Sequence, residues 1–312
     1  MKAHYIIDFK PGYQKFPSRF RINSSLESII SFIHSLEDEA KFSAPDFNRL
    51  VDLCFELISR LPIPINHLQD SFILRARENK NGEVFSRASE ISYNPYNHLV
   101  DQGRFNLSGE QVFYGAAPLE SKNGSGQLTS ICEPCKELFD TTCQNDLKYF
   151  TIGKWNIIKP IKIVILTFFK DALQKSSQVG NLNPHYVNFL KACCSRTDLE
   201  KCLRFYTFFS GYAARKYDVT QKYLLTTALF HALKKYYGNE LGILYSSSMT
   251  ENNGLNLALT KELIDNNYLK LEGSLMFKSM RDKRNIKSYT IVPASNYAEV
   301  ESDGRFRFRY II

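Results

Sequence analysis

Apolar positions in the first 68 residues recur at the spacing of a helix face. Leu26, Ile29, Ile30 and Ile33 form one stripe. Ser24-Ser25-Leu26-Glu27 stands in front of it with capping-box spacing, in which Ser and Glu side chains satisfy otherwise unpaired N–H groups. A second stripe, Phe47, Leu50, Val51, Cys54, Leu57 and Ile58, predicts a helix that starts near Ser43 and tolerates Pro45 in its first turn. It stops before Pro62 and Pro64. Residues 1–68 therefore read as an N-terminal helical region. Its extra length and amphipathic stripes suggest a segment that covers a site or binds a regulator.

Beyond Pro64 the period shortens toward two. Residues 71–77 and 111–116 are short, β-rich runs and predict strands, the second bounded by Gly109 and Pro118. A helix is predicted over 128–139. The stretch 140–215 reads as a mainly helical insert, with a strand at 161–167 and helices around 184–194 and 198–209, the latter behind a second capping box at Thr197-Asp198-Leu199-Glu200. A helix over 220–237 follows, with Leu224, Leu225, Ala228, Leu229, Ala232 and Leu233 inward and Gly238 as its stop. A strand at 241–246, a helix at 255–265 and strands at 289–292 and 305–310 complete the pattern. In the last, strict alternation places Arg305, Arg307 and Arg309 on one face. The expected class is α+β, a mixed central sheet flanked by helices.

Composition narrows the classes. Of 312 residues, 44% are hydrophobic and 23% charged, which is ordinary globular usage and excludes wholesale disorder. The most apolar run, 157–169, is broken by Lys159, Pro160 and Lys162 and falls short of a membrane span. The first residues show no apolar stretch with a small-residue cleavage site, so a cytoplasmic protein without a membrane partner is expected. Seven cysteines at irregular spacing argue against a disulfide framework. Cys132-Glu133-Pro134-Cys135 with Cys143 lacks the second half of a zinc site, so no metal is expected. Net charge is +8, and residues 1–68 hold eight basic and eight acidic side chains, so the excess lies in 69–312. Lys278, Arg281, Lys283, Arg284 and Lys287, with the three late arginines, admit a nucleic-acid surface or an acidic protein partner. No nucleic-acid motif accompanies them, and such runs usually mark a solvated face.

Three segments concentrate polar groups at strand ends: Leu74-Arg75-Ala76-Arg77; Gly103-Arg104-Phe105-Asn106 running into Val112-Phe113-Tyr114; and Gly242-Ile243-Leu244-Tyr245-Ser246-Ser247 with Asn256-Leu257-Ala258-Leu259 downstream. Taken in this order they resemble the RES domain family, named for an arginine, a glutamate and a serine. The resemblance covers about residues 69–265 with a long interruption. Where the family has Tyr-Pro-Ser, this chain has Tyr245-Ser246-Ser247, so the serine falls among Ser246, Ser247 and Ser248, with Ser247 taken as the match. Thr129-Ser130-Ile131-Cys132-Glu133 resembles the family's short glutamate-bearing helix. A polar insert from Glu120 to Gly126 precedes it, so Glu120 and Glu137 stay open beside Glu133.

The resemblance implies a core akin to ADP-ribosyltransferases, over 69–312, and an intracellular enzyme that consumes NAD as substrate, without a cofactor. It implies a toxin or defence role with an antitoxin or immunity protein as partner. Cleavage of the nicotinamide–ribose bond develops positive charge at the ribose, which a carboxylate stabilises; Glu133 would supply it. The planar fork of arginine suits a pyrophosphate, a role for Arg75 and Arg104. Asn106 and Ser247 would contact the ligand's polar groups, and Tyr114 or Tyr245 a ring. Water, phosphate or a protein side chain could accept the ADP-ribosyl group, the last making the chain a protein ADP-ribosyltransferase. Without the resemblance, Arg75 and Arg77 read as surface salt-bridge partners, the Gly-Arg-Phe-Asn stretch as a turn, and His231 as a satisfied group on its helix. A non-enzymatic, basic nucleic-acid- or partner-binding protein is the reading of another class.

Overall fold

The structure, a computed structural model, describes residues 6–8, 27–28, 31, 44–61, 63, 65–117, 147–168, 178–215, 223–247, 254–281 and 289–312. Its elements in chain order are β1 (Ile6–Asp8), α1 (Ala44–Arg60), β2 (Ile65–Leu68), β3 (Phe72–Glu78), β4 (Val112–Ala116), β5 (Leu147–Ile157), β6 (Ile161–Leu166), α2 (Gln178–Cys193), α3 (Arg196–Ala213), α4 (Leu224–Tyr237), β7 (Gly242–Ser246), β8 (Leu255–Thr260), α5 (Lys261–Asp265), β9 (Leu269–Arg281), β10 (Tyr289–Pro293) and β11 (Ala298–Glu299). The class is α+β. The strands form one mixed sheet in the order β1-β2-β6-β7-β8-β4-β3-β5-β9-β10, with β11 also paired to β9. Only β6 and β7 run parallel; every other pairing among the described residues is antiparallel.

Helix α1 forms where its stripe requires. Phe47, Leu50, Cys54, Leu57 and Ile58 are buried, and the helix lies against α4. The stretch before residue 68 is not helical throughout: it also supplies β1 and β2, and β2 joins the sheet beside β6. Tyr237 at the end of α4 donates to the Ile63 carbonyl at 2.7 Å, tying the α1–β2 link to the rest. One buried cluster runs from Phe47 on α1 to Phe308 near the end of the chain. Helix α3 contacts β6, β7 and α4, so it lies over the part of the sheet that includes the motif strand β7.

Four expected elements differ. The predicted helix at 255–265 is strand β8 followed by the single turn α5. Every residue of β8 is buried, and a strand buried on both faces reads as an unbroken apolar run that periodicity does not separate from a helix. The 140–215 stretch contains two central strands, β5 and β6, as well as α2 and α3. The cap of α3 is Ser195, whose hydroxyl accepts from the Asp198 N–H at 3.2 Å, two residues before the predicted Thr197. Residues 305–310 form no strand, only an isolated bridge between Arg305 and Arg87; their alternation nonetheless survives as burial, with Phe306 and Phe308 inward and the three arginines exposed. The helix predicted over 128–139 lies outside the described residues. No helix among the described residues is long and apolar enough to cross a membrane.

Candidate functional site

Strand β3 sits between β4 and β5. Its alternation sends Ile73 into the main core and Leu74 into a small cluster with Phe150, Ile152 and Phe277, so Arg75 and Arg77 share the side of Ile73. They are not surface salt-bridge partners. Arg75 Nε donates to the Ser92 carbonyl at 3.0 Å and Nη1 to the carbonyl of Tyr114, while the guanidinium lies 5.0 Å from the centre of the Phe113 ring. Burial, helped by the charge of Arg77, pushes its pKa down to about 10. Arg77 donates to the Glu90 carbonyl and covers the Phe85 ring at 4.9 Å. Both arginines thus bind the loop around 90–92 to the sheet.

The second segment is a closed turn. Gly103 N–H donates to the Asn106 carbonyl at 3.1 Å, and Asn106 Nδ2 donates to the carbonyls of Asp101 and Leu107 at 2.9 and 2.8 Å. The Tyr114 hydroxyl, arriving from β4, donates to Asn106 Oδ1 at 2.8 Å and accepts from the Phe105 N–H at 2.9 Å. Burial raises the pKa of this hydroxyl well above the tyrosine range, so it keeps the proton it donates. Gly103 is required by space: a Cβ there would stand 2.4 Å from Asn106 Oδ1. Helix α4 holds the turn from outside, through Thr226 donating to the Arg104 carbonyl and through Phe230 edge-on to Phe105 at 6.0 Å. Arg104 itself reaches the Ala213 carbonyl at the end of α3, with its guanidinium 5.3 Å from the rings of Tyr223 and Tyr245.

The third segment is β7. Tyr245 is buried, its ring 4.9 Å from Phe105. Ser246 alternates away from it, and its fully buried hydroxyl has no hydrogen-bond partner among the described residues. Ser247 N–H donates to the Gly254 carbonyl at 2.9 Å, extending the β7–β8 ladder by one residue, so Ser247 returns to the side of Tyr245. Strands β7, β8, β4 and β3 are successive neighbours. The structure therefore joins Arg75, Arg104, Asn106, Tyr114 and Tyr245 in one contact network, with Ser247 at the end of β7. Glu133, its alternatives Glu120 and Glu137, and Ser248 lie outside the described residues, as do Cys132, Cys135 and Cys143.

One feature has no local sequence signal. Glu110, at the close of the turn, accepts at Oε2 from the Leu107 N–H at 2.9 Å and from His231 Nε2 at 2.8 Å. His231 stands on α4, its ring edge-on to Phe47 of α1 at 5.3 Å. It is half-buried and paired to a carboxylate 121 positions away, a partner no spacing rule finds. Burial would raise the Glu110 pKa, but the hydrogen bonds from His231 and Leu107 outweigh it, and the net direction is down. Beside Glu110 a cleft of about 220 Å³ opens between Gln111, Lys234, Lys261 and Glu262. Among the described residues no three His, Cys, Asp or Glu side chains gather as a metal site. Cys54 and Cys202 are buried, free thiols, and Cys194 is half-buried.

No protein-family model matches this chain, and no curated protein sequence matches it.

Proposed function

We propose that this chain is an intracellular enzyme of the RES type that cleaves the nicotinamide–ribose bond of NAD. The observation that carries the reading is convergence. Three segments that resemble the family's motifs, far apart in sequence, meet on adjacent strands, with two arginines, an asparagine and two tyrosines in one network. A chance set of turn and strand-end residues has no reason to meet.

In this reading Arg75 keeps Nε and Nη1 on main-chain carbonyls, and Nη2, which has no partner among the described residues, faces the pyrophosphate. Arg104, between two tyrosine rings, presents the second positive charge. Tyr245 or Tyr114 lies against a ring of the ligand and Ser247 meets its polar groups, while Asn106, buried with its amide spent on Asp101, Leu107 and Tyr114, shapes the turn that carries Arg104. Glu133 supplies the carboxylate that stabilises the developing charge at the ribose. The leaving group is already a pyridinium, so departure needs no metal. Water or phosphate accepts the ADP-ribosyl group; transfer to a protein side chain shares the same first cleavage. The biological setting that goes with this chemistry is a toxin or defence effector held by an antitoxin or immunity protein.

A nucleic-acid surface on the late arginines has less support. Arg305 pairs with Asp303, and the same short stretch of sequence carries Glu299 and Glu301 among its arginines. Binding that weakens steeply with salt, without NAD turnover, would favour that rival.

The test is nicotinamide release from NAD by the purified chain, with and without phosphate, beside Glu133→Gln and Ser247→Ala. The reading expects release by the wild type and a loss of about 100-fold or more in Glu133→Gln, the scale on which a single electrostatic group acts. Stimulation by phosphate would name the acceptor. Folded wild-type protein that releases no nicotinamide, alone or with cell protein as acceptor, would refute it.

A further inference from the structure

The turn that carries Arg104 and Asn106 is held to α4 at two places about a turn and a half of helix apart. At the first, Thr226 takes the Arg104 carbonyl. At the second, His231 takes Glu110. Glu110 also closes the turn on itself, because its N–H donates to the Leu107 carbonyl at 3.1 Å while its carboxylate accepts from the Leu107 N–H at 2.9 Å. The imidazole donates, since the carboxylate is acceptor-only when ionised.

We propose that Glu110 and His231 are the positioning pair of the candidate site: the imidazole fixes the carboxylate, the carboxylate fixes the 103–110 turn that Asn106 closes from within, and the turn presents Arg104 to the ligand. The assignment rests on the NAD-cleaving reading. Neither residue needs to touch the reacting atoms, and neither is one of the motif residues. Around the pair, α4 contributes Lys234, β4 contributes Tyr114, and α1 contributes the neutral edge of Phe47. The pair is thus the place where α1, α4 and the motif turn meet. Loosening it should leave the bond-breaking step alone and weaken ligand binding, because the group it positions holds the substrate in both ground and transition states.

The experiment compares wild type with His231→Phe, which keeps a ring against Phe47 but has no N–H, and His231→Gln, which restores a donor. Steady-state NAD cleavage and amide exchange at Phe105 and Leu107 are measured on all three. The expected result is a KM about tenfold higher in His231→Phe, the size of one hydrogen bond to a charged group, with kcat close to wild type and most of the loss recovered in His231→Gln. Exchange at Leu107 should be faster in His231→Phe alone. An unchanged KM in His231→Phe, or a His231→Gln as impaired as His231→Phe, would overturn the proposal. If the wild type releases no nicotinamide, the NAD reading falls by itself and exchange judges the pair. Faster exchange in His231→Phe with recovery in His231→Gln upholds its hold on the turn, and equal exchange in all three ends the proposal.

Discussion

Arg75 illustrates what a residue can and cannot say on its own. In sequence it is a charge at a strand end. In the fold its guanidinium is half-buried, aimed at the carbonyls of Ser92 and Tyr114, and close to Phe113. Its burial could not be read locally, because the carbonyls it satisfies lie 17 and 39 positions away. The Gly-Arg-Phe-Asn turn was more legible: Gly and Asn mark turns by their backbone preferences, and here Gly103 and Asn106 close one. Its keystone is Tyr114. Tyr114→Phe would leave the Phe105 N–H and Asn106 Oδ1 unpaired and should cost about 1–3 kcal/mol in chemical denaturation, with no cavity formed. A cost near zero would mean that the hydroxyl does not hold the turn. Glu110 predicts a pH dependence. Its folded pKa lies below the ordinary value of 4.5, so it contributes stability above that pH and loses it as pH falls through the folded value. Glu110→Gln should flatten the fall in stability as pH drops below the ordinary carboxylate value of 4.5 relative to wild type; parallel curves would contradict the assignment.

Legibility of an element depended on how clearly its apolar run was bounded and how little polar residues interrupted it. Helix α4 has the burial pattern its stripe requires, ending at Gly238 with φ +97, a conformation glycine adopts without penalty. Strands β3, β4, β6 and β7 lie close to their expected spans. Strand β8 carries no alternation because both of its faces are buried. Strand β5 was hidden for a different reason: polar residues interrupt its apolar positions. Lys148 is buried against Glu78 at 3.3 Å, and the Thr151 hydroxyl donates to Asn79 at 3.0 Å, so both are satisfied by groups at the end of β3, which sequence spacing does not reveal. The start of α3 gives a direct check. Ser195→Ala should destabilise by about 1 kcal/mol as loss of an N-cap, whereas Thr197→Ala should change stability by only a few tenths. The reverse order would restore Thr197 as the cap.

At the scale of the molecule, residue 68 marks no boundary between separate cores among the described residues. Phe47, Leu50, Cys54, Leu57 and Ile58 on α1 belong to the same buried cluster as the strands of the motif site, and β2 is a member of the sheet. A chain beginning at residue 69 would expose the α4 face that α1 covers and the edge of β6 that β2 pairs. It should lose the cooperative thermal transition of the full chain, followed by circular dichroism; a shortened chain that melts as sharply would show the first 68 residues to be dispensable. The same connectedness places the Glu110–His231 pair where α1, α4 and the motif turn meet, so the N-terminal region touches the candidate site through Phe47.

The central claim is that three distant segments form one NAD site, and backbone amide exchange in the presence of a slowly cleaved NAD analogue tests it most directly. The account predicts that the analogue protects residues around 75, 103–107 and 245–247 together, and that Ser247→Ala weakens the protection at all three. Protection of one segment alone, or of none at saturating analogue, would contradict it.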